Sequence, residues 1–345
     1  MTLHSPESPL AIPLSGRSFH MMGRRALELL YQHRVLSTQQ LHTLLTEPES
    51  RPPRPVYLRQ QLGELRQAGL VSRVRAHGCG GPGHVRSLPY LWFLTDAGAE
   101  SVEEAGELPV RPYRVTPESV AGARQAHTLA VSDVGIAFVE HARRLGHECG
   151  PLDWTPEVAN RIRDGQRRFE DDHVISDALL NYVHIERGQR TMLSFFIEVD
   201  RATMTSARLA AKLAAYGRLY EYVPQGPDRG RRLVNATRPS WMYSYPVFPR
   251  VLVILDAAPP RAGHPDTRPQ RLAARTEDLY TRTAADARLS RLKGDLAIGV
   301  TTLQQLREHG PCAPIFTPLL RGTPSARPAP ADLYLSKEPA ASGRP

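Results

Sequence analysis

Residues 55–98 read PVYLRQQLGELRQAGLVSRVRAHGCGGPGHVRSLPYLWFLTDAG. Leu58, Leu62 and Leu65 recur at steps of three and four, so they share one face of a helix over about residues 56–68. Gly69 follows, where a left-handed residue ends a helix at least cost. Residues 70–75 and 90–94 read as two short strands, the second rich in aromatic and apolar side chains. Between them Gly78, Gly80, Gly81 and Gly83 give a flexible tip. Thr95 then opens another helix. Upstream, Met22, Ala26, Leu29 and Leu30 mark a first helix over about residues 22–34. Ser37 caps a short second helix, with Gln40 at the capping-box position and Leu41, Leu44 and Leu45 turned inward.

This order of three helices, strand, tip, strand and helix over residues 20–106 resembles the winged helix-turn-helix domains of many bacterial DNA-binding proteins. Arginine placement agrees with it. Between Arg51 and Arg86 lie Arg54, Arg59, Arg66, Arg73 and Arg75, against the single acid Glu64. A recognition helix enters the major groove while wing residues reach phosphates or the minor groove. The expected duplex-DNA contacts are Arg54, Tyr57, Arg59, Gln60, Gln61, Arg66, Arg73, Arg75 and Arg86. The competing reading is a protein–protein module with solvated arginines. A nucleotide loop is rejected, because the glycines lack the Gly-Lys-Ser/Thr ending and open no helix.

The chain has 345 residues and a formal charge of +9, carried almost wholly by arginine, since the lysines are only Lys212, Lys293 and Lys337. Such a charge favours polyanionic partners. Cys79, Cys149 and Cys312 are widely spaced and suggest neither a disulfide framework nor a zinc site, which fits a reducing cytoplasm. No signal peptide and no membrane span is read. The expected organisation is disorder over residues 1–18, the first domain over 20–106, a proline-bearing linker over 107–117, a second domain over 118–317 and a disordered tail over 321–345.

The second block predicts one helix over residues 119–145, then strands over 157–163, 173–183 and 192–200, with turns at Asp164-Gly165 and Arg187-Gly188. A helix over about 205–222, a buried strand over 251–256, a charged helix over 267–290, a strand over 296–300 and a last helix over 302–309 follow. On the third strand Leu193, Phe195, Ile197 and Val199 share one face, and Glu198 and Asp200 share the other. Asp177 sits among apolar residues of the adjacent strand. Acids in apolar strands need a partner or a metal. Three converging carboxylates would suit Mg²⁺. The alternative is a structural role, in which Glu198 and Asp200 hold arginines of a neighbouring helix as an ion cluster and Asp177 starts a turn or pairs with Arg201.

The order helix, three-stranded meander, helix, strand resembles the restriction-endonuclease-like nucleases, which implies an α/β core behind the winged helix and an α+β protein overall. In that superfamily an Asp on the second strand precedes Asp/Glu-x-Lys on the third. Asp177 and Glu198 match, whereas Asp200 stands at the lysine position and Lys212, on the next helix, is the candidate replacement. More narrowly, the chain resembles the replication-relaxation family of plasmid-associated bacterial proteins. The residues that carry this are Leu94-Thr95-x-x-Gly98, His127-x-Leu129-x-Val131, Ser176-Asp177-Ala178, Phe195 to Arg201 and Lys212-Leu213-x-x-Tyr216. The resemblance implies an accessory factor in plasmid replication, DNA relaxation or mobilisation, with double-stranded DNA and replication or relaxase proteins as partners. It leaves room for a homodimer and, on a second reading, for a Mg²⁺-dependent endonuclease or nickase using Asp177, Glu198, Asp200 and Lys212. A transcriptional regulator is the third reading.

Overall fold

The computed structural model describes residues 21–46, 54–76, 89–111, 113–122, 124–165, 168–224, 237–257, 264–322 and 328–335. The protein is a mixed α and β chain that divides into two compact units, 1–132 and 133–345.

In the first unit α1 (Met21–His33), β1 (Leu36–Ser37), α2 (Thr38–Leu45) and α3 (Pro55–Gln67) precede β2 (Val71–Arg75), β3 (Tyr90–Leu94), α4 (Asp96–Ala105) and α5 (Pro117–Ala121). The three strands form one antiparallel sheet in the order β1-β3-β2. The local signals act as read. Ser37 and Gln40 close the capping box of α2. Leu58, Leu62 and Leu65 are the buried face of α3. Gly69 has φ +76°, the left-handed value that lets the chain turn from α3 into β2. The tip between β2 and β3, residues 77–88, lies outside the described residues, as do residues 1–20 and therefore the expected disorder over 1–18.

The motif Leu94-Thr95-x-x-Gly98 now has a physical reading. The Thr95 hydroxyl caps α4 by accepting from the Gly98 amide and donates to the Gly69 carbonyl 2.6 Å away. A Cβ on Gly98 would stand 2.0 Å from the Leu70 carbonyl oxygen, which is backbone and cannot step aside. Gly98→Ala is therefore expected to destabilise the first unit by ~1–3 kcal/mol or more through overpacking, outweighing the ~0.5–1 kcal/mol that alanine gains in a helix. Urea unfolding followed by Trp92 fluorescence checks this, and an unchanged midpoint would contradict the packing argument.

Two expectations of organisation are corrected. The segment 107–117 is no free linker. Arg111 donates to the Gln32 carbonyl and side chain, Arg114 pairs with Glu103, and the Arg111 amide donates to the Tyr31 hydroxyl, all within the first unit. The expected helix over 119–145 is two helices, α5 and α6 (Gln125–Leu145), because Gly122 takes an extended conformation after α5. The boundary between the units falls inside α6.

The second unit continues with β4 (Trp154–Arg161), α7 (Phe169–Asp172), β5 (His173–Glu186), β6 (Gln189–Asp200), α8 (Ser206–Glu221), a 3-10 turn (Ser240–Tyr243), β7 (Arg250–Leu255), α9 (Arg268–Ala285), α10 (Ala287–Arg291), β8 (Ile298–Thr302), α11 (Leu303–His309) and β9 (Thr317–Pro318). Its sheet runs β4-β5-β6-β7-β8-β9. The first three strands are antiparallel, β6-β7-β8 are parallel, and β9 is antiparallel at the edge. The Arg187-Gly188 turn joins β5 to β6 with φ +50° and +81°, the pair of positive angles a two-residue hairpin favours. The charged helix over 267–290 breaks at Asp286, whose backbone turns extended while its side chain caps α10.

Both faces of the central strands are covered. Phe138 of α6 meets Phe195 and Tyr182 on one face. Phe196 on the other joins Leu209, Leu213 and Tyr216 of α8 and Leu279 of α9 in one apolar cluster. The stretch expected as a disordered tail is corrected in part. Ala331 pairs with Phe316, and Leu333 and Leu335 are buried, because these leucines have apolar surface to cover. Residues 323–327 and 336–345 lie outside the described residues.

Candidate functional site

Strand alternation carries Glu198 and Asp200 onto the face packed by α8 and α9, and each side chain is almost wholly buried. Asp177 reaches the same region from β5. One step beyond the pair Ala178–Ile197, its carboxylate accepts from the Val199 amide at 2.7 Å, so a side chain takes over where the ladder of backbone bonds stops. Lys212 of α8 is ion-paired with Glu198 and lies 3.5 Å from Asp177. Tyr216, one helical turn further, donates to the second Glu198 oxygen.

Two carboxylates and one ammonium in a nearly dry site carry an excess negative charge. Burial and the neighbouring Asp177 push Glu198 up to about 8, against the pull of Lys212 and Tyr216. Burial alone would lower the Lys212 ammonium, but Glu198 and Asp177 outweigh it and hold the lysine above its usual value. Tyr216 is raised by burial and by Glu198, so it remains a neutral phenol that donates. The cluster thus retains a proton that the same groups would release in water.

Asp200 is not part of this group. Its carboxylate is ion-paired with Arg275 of α9 and accepts from the Ala202 amide at 3.1 Å. The same guanidinium donates to the Met204 carbonyl at 2.7 Å. Arg201 pairs with Asp256 at 3.5 Å, and not with Asp177. The carboxylates expected to take Mg²⁺ are each engaged by donors of the chain itself in this arrangement. Lys212 and Tyr216 occupy both Glu198 oxygens, Lys212 and the Val199 amide hold Asp177, and Arg275 holds Asp200.

The basic residues of the first unit lie at its surface. Arg54, Tyr57, Arg59, Gln60, Arg66 and Arg75 are exposed, Gln61 and Arg73 are half-buried, and Arg86 lies outside the described residues. Arg59 and Arg66, two turns apart, flank the buried leucine stripe of α3 on the same side. The amides of Gln60 and Gln61 both donate to Glu64 at 2.9 Å, which occupies the single acid of the helix. Arg73 lies over the Tyr90 ring at 3.8 Å and the Trp92 ring at 5.3 Å, and Arg75 over Tyr90 at 5.1 Å. Both arginines thus reach from β2 across the ladder onto aromatic rings of β3.

A family model described as replication-relaxation matches residues 27–232, more than half of the 345-residue chain. The chain belongs to the replication-relaxation family. No curated protein and no solved structure matches it. Membership in the replication-relaxation family points to a role in replication and relaxation. The match spans α3, the Asp177 and Glu198 strands and the Lys212–Tyr216 helix, so the motifs of the resemblance all fall inside it. No helix among the described residues is long and apolar enough to cross a membrane.

Sequence reasoning brought Asp177, Glu198 and Lys212 together, as the structure does, but missed Tyr216 as the second partner of Glu198. Its signal was present, since Lys212 and Tyr216 are four residues apart on one helix face. Arg275 gave no signal, being one of several arginines on a polar helix.

Proposed function

We propose that this member of the replication-relaxation family binds duplex DNA through a winged helix-turn-helix formed by its first unit. Its second unit, a restriction-endonuclease-like module, is on this reading delivered to that DNA as a non-cutting accessory in plasmid replication, relaxation or mobilisation. The observation that carries the reading is the exposed basic set of Arg54 at the N-cap of α3, Arg59 and Arg66 on it and Arg75 on β2, with Glu64 already engaged by glutamines. Such a surface suits phosphate contact, which dominates affinity for DNA and makes it salt-dependent. The non-cutting half of the reading rests on the engaged carboxylates. Each acid expected to take a metal is held by a cation, an amide or a phenol of the chain itself. Replication or relaxase proteins are the expected protein partners, and a homodimer is compatible with the reading.

Arg59→Ala and Arg66→Ala are expected to weaken duplex binding and to reduce the slope of log K against log salt by about one unit for each lost phosphate contact. Fluorescence anisotropy with labelled duplex over a salt series measures this. Unchanged affinity and slope in both variants would overturn the assignment of α3. The convergence of Asp177, Glu198 and Lys212 favours a second reading, a Mg²⁺-dependent nickase. Incubation with supercoiled plasmid and Mg²⁺ separates the two. Nicking that is lost on adding EDTA and in Asp177→Ala would displace the accessory reading, and binding without nicking would support it.

A further inference from the structure

On the sheet face opposite Glu198, three residues distant in sequence meet. His147 follows α6, His184 lies near the end of β5, and Cys312 follows α11. One ligand atom from each lies within 4.8 Å of the others, and all three side chains are half-buried. His184 shares its face with Leu180 and Tyr182, whereas Asp177 lies an odd number of residues away and faces the other side. We propose that His147, His184 and Cys312 form a Zn²⁺ site with an open fourth position.

The donor chemistry supports zinc. Two imidazoles and one thiolate are borderline-soft ligands of the kind zinc takes in tetrahedral sites, at roughly 2.0–2.3 Å from the ion. Cys312 Sγ is 3.9 Å from His147 Nδ1, close to the separation of two ligands across a tetrahedral centre of that size. Each imidazole is also held from outside. A backbone hydrogen bond at Ile185 supports the His147 ring, and the Tyr334 hydroxyl is 2.8 Å from His184 Nδ1. Such outer contacts orient ligating histidines and set their tautomers. With Nδ1–H of His184 donating to Tyr334, its Nε2 lone pair is available for the ion.

Tyr182 completes the surroundings, with its hydroxyl 2.6 Å from His147 Nδ1 and 3.9 Å from Cys312 Sγ. On binding, Cys312 loses its thiol proton to solvent and the sulfur bonds to the ion. The Tyr182 hydroxyl then gives up His147 and has the thiolate as its new acceptor. The ion would tie the end of α6 and the chain after α11 to β5, the same region where the Leu333 amide donates to the Pro311 carbonyl.

The test is a titration of reduced, EDTA-stripped full-length protein with Co²⁺ and then Zn²⁺. Expected are the ligand-field and thiolate charge-transfer bands of a tetrahedral cobalt site, saturating at a single ion per chain and abolished by Zn²⁺. Cys79→Ser should keep the bands, and Cys312→Ser should lose the charge transfer. Tyr334→Phe, which removes only a hydroxyl, should weaken zinc binding by ~10–100-fold. If wild-type protein shows no cobalt bands, or if Cys312→Ser and His184→Ala bind as wild type does with native circular dichroism, the proposal is overturned.

Discussion

Arg275→Ala is expected to destabilise the second unit by ~3–5 kcal/mol, the cost of leaving one member of a buried ion pair without its partner. Asp200 is 1% exposed and the Arg275 side chain 12%, so water cannot replace the guanidinium. The loss goes beyond the pair, because Arg275 also donates to the Met204 carbonyl, just before the Thr205 N-cap of α8. In a unit of this size each kcal/mol corresponds to roughly 2–4 °C in melting temperature. Fluorescence of Trp154 and Trp241 in a Trp92→Phe background reads the second unit alone. Arg275→Ala combined with Asp200→Asn should recover a large part of the loss, since the uncompensated charge is then gone. A single variant that melts as wild type does, or a double variant worse than the single, would show that the pair is not what holds α9 to β6.

The second large effect is pH-dependent. Lys212→Met removes the cation shared by Glu198 and Asp177. Glu198 can then avoid a buried charge only by holding a proton, which it does below its folded-state value. The wild-type value is already pushed up to about 8 by burial and Asp177. A carboxyl raised above its unfolded value binds more protons when folded, so its stabilising effect is complete below the unfolded value and is lost as pH rises through the folded one. Wild-type stability should therefore fall between about pH 5 and 8. Lys212→Met should follow the same slope, at most ~1.4 kcal/mol per pH unit for one titrating group, but continue it past about pH 8 where the wild-type profile levels off, so that between about pH 5 and 10 the two part only at the alkaline end, by up to ~3 kcal/mol. Glu198→Gln, which cannot titrate, should flatten the profile in both backgrounds. Urea midpoints across that range provide the measurement. A pH-independent loss in Lys212→Met would mean that the lysine acts by packing alone.

Much of the secondary structure could be read directly. The capping box of Ser37 and Gln40, the left-handed Gly69, the Arg187-Gly188 hairpin and the opposed faces of β6 were all legible, because each depends on a few neighbouring residues. The helix over 119–145 was drawn too long because its apolar spacing continues across Gly122, while the backbone does not. The buried Leu333 and Leu335 were hidden within a stretch whose composition reads as disordered. Their covering surface lies in distant sequence, where Leu335 packs against Gly299.

The sequence by itself determined which residues form helices and strands, that Glu198 and Asp200 share a sheet face, and that family membership follows from motifs spread over that frame. Periods of 3.6 and 2 residues carry this information locally. Only the tertiary structure decided that Asp200 meets Arg275, 75 residues away, while Lys212 keeps the partners its motif suggested. It alone brought His147 and Cys312 together across 165 residues. Convergence of this kind is set by how helices pack across the two faces of a sheet, and no spacing along the chain encodes it.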